Sequence, residues 1–278
     1  MRYCLFFIMC CMGLAARADS VQLAMPDKLV AQAEFRKGSA DLPALILLHG
    51  FLQTQEFPTI HGLVEGLATA GHTVLAPTLT LGIPQRKQSM ACEAIHTHTM
   101  QDVTGEIGAW VKWLKARHSG PIILLGHSFG SLELLAYLSA RPDPAISKFI
   151  GVSIIEGRLN LTATDTARLI AELRAAMKSG APRLITRQFS YCRNYQATPA
   201  SLLSYVEWTP QRVLDASARL PVASVFIMGG RDDRLDSGWV DRLKARNRVT
   251  LIPGANHFMD GEHEFDLLDA VLKEAKAP

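Results

Sequence analysis

Six nearly unbroken apolar runs punctuate the chain, at 44–50 (ALILLHG), 72–79 (HTVLAPTL), 121–126 (PIILLG), 148–155 (KFIGVSII), 222–230 (VASVFIMGG) and 248–254 (RVTLIPG). Runs of this length, apolar at consecutive rather than alternate positions, mark strands buried on both faces. Between and after them lie helical patterns. Ile60, Leu63, Val64 and Leu67 share one helix face, entered through Pro58 and closed by Gly71. Ile107, Trp110, Val111 and Leu114 share another, in a helix capped by Thr99 and running to Ala116. Further helices are expected over 129–140 and 265–275. Strands and helices in alternation predict an α/β fold with a mostly parallel central sheet and helices on both faces. Two shorter strands, VQLAM and KLVAQAEF, precede the series and are separated at Pro26-Asp27. With 278 residues, 48% of them hydrophobic, the chain suffices for one large buried core.

The alternation fails once. Residues 160–220 hold no strand-like run and show helical signals instead: a helix near 165–179 ending at Gly180, and two starts at Thr198-Pro199 and Thr209-Pro210. They are expected to form a small helical cap inserted between two core strands. The beginning of the chain is also atypical. Arg2, the apolar stretch 3–14 and Ala16-Arg17-Ala18 make the three-part pattern of a secretory signal peptide of 18 residues, with an uncleaved anchor as the alternative. Residues 19–278 then form the mature domain, and no later segment is long and apolar enough to span a bilayer. Of 29 Lys and Arg, Arg2 and Arg17 leave with the signal, so 27 face 26 Asp and Glu for a net charge of +1. That balance, with no basic stripe carrying aromatics, gives no sign of nucleic-acid binding.

The third apolar run leads into Gly126-His127-Ser128-Phe129-Gly130. Gly-x-Ser-x-Gly between a buried strand and a helix is the pattern of a nucleophile elbow. There the turn is so tight that residues two places either side of the serine must lack side chains. On these residues the chain resembles the α/β-hydrolase fold superfamily, over essentially the whole mature chain. The resemblance implies a serine nucleophile, Ser128, and a histidine base in the loop after the last strand, where His257 stands. An acid follows the preceding strand as Gly-x-x-Asp. Counted from Gly230 this is Asp233, with Asp232 and Glu156 as alternatives. Backbone N–H groups of Phe129 and Phe51 are the implied oxyanion donors, with Leu52 as substitute for Phe51.

Such a set predicts hydrolysis of an acyl bond in a small-molecule substrate, most simply a carboxylic ester, through an acyl-enzyme and without a cofactor. Amide or thioester cleavage by the same residues, and a non-catalytic binding role on the same frame, are the alternatives. Three of the five cysteines lie in the signal, leaving Cys92 and Cys192, and two cysteines in an exported chain (periplasmic or secreted) predict a disulfide. The loop CEAIHTHTM brings His96 and His98 near Cys92. They are expected as part of an active-site wall anchored by that disulfide rather than as metal ligands, because histidines two apart point opposite ways in extended chain. Asn160-Leu161-Thr162 is a glycosylation sequon, relevant only in a eukaryotic secretory route. The sequence carries no signal for oligomeric state.

Overall fold

A computed structural model describes residues 18–157, 161–180 and 183–276. The signal-peptide reading and the sequon Asn160 lie outside these residues, apart from Ala18. An eight-stranded sheet runs in the order β1-β2-β4-β3-β5-β6-β9-β10. Its strands are β1 (Ala18–Ala24), β2 (Val30–Arg36), β3 (Ala44–Leu48), β4 (Val74–Thr78), β5 (Ile122–His127), β6 (Ile146–Val152), β9 (Ala223–Gly229) and β10 (Val249–Ile252). β1, β2 and β4 pair antiparallel and every pair from β4 to β10 is parallel. The expected α/β class is what forms. Every residue of β3, β4 and β5 is buried, which is why these strands read as continuous apolar runs.

Alternate side chains of the strands feed two cores. Leu45, Leu47, Ile123 and Leu125 pack with α1 (Pro58–Thr69) and α8 (Glu264–Lys276). Ile46, Leu48 and Leu124 pack on the other face with α2 (Met100–Lys115) and α3 (Phe129–Ala140). Thr99 caps α2 in a reciprocal box with Asp102, and Trp110 on its inner face is fully buried.

The segment between β6 and β9 differs from the all-helical expectation. Besides α4 (Ala163–Lys178), α5 (Pro199–Val206) and α6 (Pro210–Ser217), it contains an antiparallel hairpin of β7 (Ile185–Phe189) and β8 (Cys192–Ala197). The hairpin escapes sequence reading because it is short and mostly polar. Only Phe189 in β7 and Cys192, Tyr195 and Ala197 in β8 turn inward. Its anchors lie in the 92–98 loop. Cys92 and Cys192 form the expected disulfide, with Cα atoms 5.3 Å apart. His96 N–H donates to Gln196 O at 2.8 Å, and Thr198 N–H donates to His96 O at 3.0 Å. A short helix α7 (Trp239–Lys244) also goes unannounced in the sequence. Among the described residues no helix is long and apolar enough to cross a membrane.

Candidate active site

Ser128 sits between β5 and α3 with φ 55° and ψ −118°, a conformation costly for a residue with a side chain. The flanking glycines permit it. A Cβ on Gly126 would lie 2.5 Å from the backbone of Gly130 and Ser131. One on Gly130 would lie 2.5 Å from Leu48 O and nearer still to His49 O. Ser128 N–H donates to Val152 O at 2.9 Å, and Ser131 Oγ donates to Gly126 O at 2.6 Å. The turn is thereby tied to the ends of β5 and β6.

His257 reaches Ser128 from the loop after β10. Its Nε2 is 2.8 Å from Ser128 Oγ, and its Nδ1 is 2.8 Å from Asp232 Oδ2. A proton on Nδ1 donated to the carboxylate leaves Nε2 to accept from the serine hydroxyl. The side chains of His257 and Asp232 are 5% and 1% exposed, so water competes little for this chain of bonds. His127, beside Ser128 in sequence, lines the same cavity but bonds the histidine loop rather than the serine hydroxyl. Its Nε2 donates to His257 O at 2.9 Å, holding the backbone of the histidine loop. Burial holds His127 neutral, with its pKa lowered to about 3.

The carboxylate that meets His257 is therefore Asp232 and not the expected Asp233. The glycine that sets the count is Gly229, whose Cβ would meet Ala255 O at 2.5 Å and Asn256 O at 2.6 Å. From Gly229, the fourth residue is Asp232. Asp233 is exposed at the cavity rim. Glu156 is also not the partner of His257. It is buried, and its Oε1 accepts from Asp236 N–H at 3.2 Å.

The cavity over Ser128 holds about 290 Å³ and is walled by Phe51, Phe129, Ile155, Tyr191, Leu235 and Phe258, with Gln53, Asp233 and Arg234 among its polar groups. Phe129 opens α3, so its N–H has no acceptor within the helix. Phe51 and Leu52 lie in the loop after β3, with Leu52 at φ 58°, and among the described residues neither N–H finds a protein acceptor. The Phe51 and Phe129 rings meet at 4.6 Å and continue into Phe189 of the hairpin, 5.3 Å from Phe51.

His96 and His98, expected on the wall, do not line this cavity. Both are buried under the hairpin, where the His96 ring stacks on Tyr195 at 4.0 Å and His98 meets Tyr205 edge-on. Burial lowers the pKa of both, that of His98 to about 3. Among the described residues no three His, Cys, Asp or Glu side chains gather as metal ligands.

With the Ser128 turn, the histidine loop and the parallel sheet assembled in this way, comparison with known proteins places the fold. Residues 45–270 match the model of the alpha/beta hydrolase family, and the chain belongs to that family. No curated protein sequence matches it. Among solved structures, DcsB in complex with its substrate analogue is similar at 13% identity and a TM-score of 0.69, covering 94% of this chain and 98% of that one. Est1E from Butyrivibrio proteoclasticus with bound ferulic acid is 19% identical with a TM-score of 0.65, over 91% of this chain and 97% of that one. The thioesterase domain from the curacin biosynthetic pathway is 14% identical with a TM-score of 0.59, over 94% of this chain and all of that one.

Proposed function

We propose that the protein is an exported serine hydrolase that cleaves a small carboxylic ester through an acyl-enzyme. The observation that carries this reading is the continuous chain Ser128 Oγ, His257 Nε2, His257 Nδ1, Asp232 Oδ2, with both links at 2.8 Å. Ser128 Oγ attacks the acyl carbonyl while His257 Nε2 takes its proton. Asp232 holds the ring in the required tautomer and stabilises the imidazolium. The N–H groups of Phe129 and Phe51 donate to the oxyanion. His257 then protonates the departing alcohol, and a water deprotonated by the same nitrogen clears the acyl group from Ser128.

The cavity volume of about 290 Å³ fits a small-molecule substrate. Esterase and thioesterase neighbours on the same fold fit acyl transfer as the reaction class. Export is supported by the signal pattern over 1–18 and by the Cys92–Cys192 disulfide, a bond that persists in oxidising compartments. The test is hydrolysis of p-nitrophenyl acetate and butyrate by wild type and Ser128→Ala. Wild-type turnover lost in the variant supports the reading, and full turnover in the variant overturns it.

A further inference from the structure

The loop that follows β3 has every carbonyl from Gly50 to Gln53 engaged. Gly50 O accepts from His49 Nδ1 at 2.9 Å and from Gln53 N–H at 3.2 Å. Phe51 O accepts from the Tyr191 hydroxyl at 3.2 Å. Leu52 O accepts from Met90 N–H at 2.9 Å and from Arg86 Nη1 at 3.3 Å. Gln53 O accepts from Arg86 Nη2 at 2.7 Å. In a trans peptide the C=O and the N–H of one unit point in opposite directions. The Phe51 N–H shares its peptide unit with Gly50 O and the Leu52 N–H shares its unit with Phe51 O, so holding those two carbonyls fixes these two N–H groups.

Arg86 holds the far end of this loop, at the Leu52 and Gln53 carbonyls. It is 4% exposed, and its remaining donors also go to backbone: Nε to Leu79 O at 2.8 Å and Nη1 to Gln88 O at 2.9 Å. Its Nη2 also approaches His49 Nε2 at 3.4 Å, an atom that accepts from Leu79 N–H at 3.1 Å. Among the described residues no carboxylate bonds it directly. Glu106 and Glu133 act on it only as nearby charges, and burial lowers its pKa to about 10, so it stays cationic at neutral pH. Burying a guanidinium costs several kcal/mol. Here the rigid fork spans two consecutive carbonyls of a loop that holds Leu52 at φ 58°, a task an ammonium point charge cannot match.

We propose that Arg86 is a positioning residue for the oxyanion hole: by holding Leu52 O it fixes the Gln53 N–H of the same peptide unit, which donates to Gly50 O and so keeps the Phe51 N–H aimed at the substrate oxygen over Ser128. The proposal rests on the serine-hydrolase reading of Ser128. A loop that drifts loses pre-organisation in the transition state, where the oxyanion forms, and little in the ground state.

The experiment uses the full chain and short p-nitrophenyl esters, with active sites titrated to completion by a fluorophosphonate so that kcat is expressed per competent Ser128. Arg86→Met is expected to lower kcat about 10²-fold, the cost of a misplaced oxyanion donor, with KM changed less than about threefold. Arg86→Lys keeps the charge but not the fork and is expected to lose about tenfold in kcat. If the methionine variant does not fold, the lysine variant decides. A kcat per titrated site that matches wild type in the lysine variant, or a loss carried by KM or by the titratable fraction, overturns the proposal. Failure of the wild type to titrate overturns the hydrolase reading instead.

Discussion

Exchanging Asp232 for Asn tests the acid assignment, and its consequence follows from the geometry. Asp232 Oδ1 accepts from Arg234 N–H at 3.1 Å and Oδ2 faces His257 Nδ1 at 2.8 Å. An Asn that keeps its oxygen on Arg234 N–H presents an amide NH₂ to Nδ1. The imidazole must then carry its proton on Nε2, where it faces the Ser128 hydroxyl and cannot accept. The positive ring formed during attack also loses its buried counter-charge. In a Ser-His-Asp arrangement this change lowers kcat about 10⁴-fold, which corresponds to about 5 kcal/mol of barrier. Asp233→Asn, at an exposed rim position, is expected to keep kcat within about threefold, since surface changes away from special features are small. The assay is turnover of p-nitrophenyl acetate by both variants, with circular dichroism to establish that each is folded. An active Asp232→Asn beside an inactive Asp233→Asn refutes the reasoning.

Gly130→Ala places a methyl against the carbonyls of Leu48 and His49, backbone that cannot move aside, so it is expected to destabilise by at least about 3 kcal/mol in urea unfolding, whereas Gly62→Ala, in open space on α1, stabilises by about 0.5–1 kcal/mol. Replacing both Cys92 and Cys192 by Ser frees a loop of 100 residues and is expected to lower stability by about 2–4 kcal/mol, while alkylation of the unreduced wild type should modify neither cysteine. Burial lowers the pKa of His49, His98 and His127 from 6.5 to about 3, so the unfolded chain binds protons that the folded one refuses as pH falls. Each contributes stability that is complete above pH 6.5 and is lost towards pH 3, at up to about 1.4 kcal/mol per pH unit. Glu106, raised by burial to about 7, works in the opposite sense between 4.5 and 7, where the folded chain keeps a proton that the unfolded one releases, and buried Glu133, raised well above 4.5, adds to this effect. The three histidines outweigh the two carboxyls, so Tm should fall from pH 6.5 to 4, and a Tm that rises over that range contradicts the burial argument.

The parallel strands were legible because burial on both faces leaves only apolar residues, as in β3, β4 and β5. Ser128 was legible because steric exclusion at Gly126 and Gly130 is written into the residue types themselves. Other features depend on long-range placement. Asp232 and Asp233 are chemically equal in sequence, and only the folded loop, which brings His257 to Asp232, tells them apart. The β7–β8 hairpin exists through its disulfide and its backbone bonds to the 92–98 loop, and a short polar strand has little signal of its own. Arg86 reads as one surface cation among many, because its partners are carbonyls from residues 33 and 34 positions earlier in the chain. His96 and His98 read as wall residues, but stacking under the hairpin takes them away from the cavity.

The most direct measurement is peptide mapping of the folded wild-type protein after treatment with a fluorophosphonate. The account predicts one adduct per chain, on Ser128, absent when the protein is denatured before treatment and strongly slowed in Asp232→Asn. An unlabelled folded protein, or an adduct on any other residue, contradicts it.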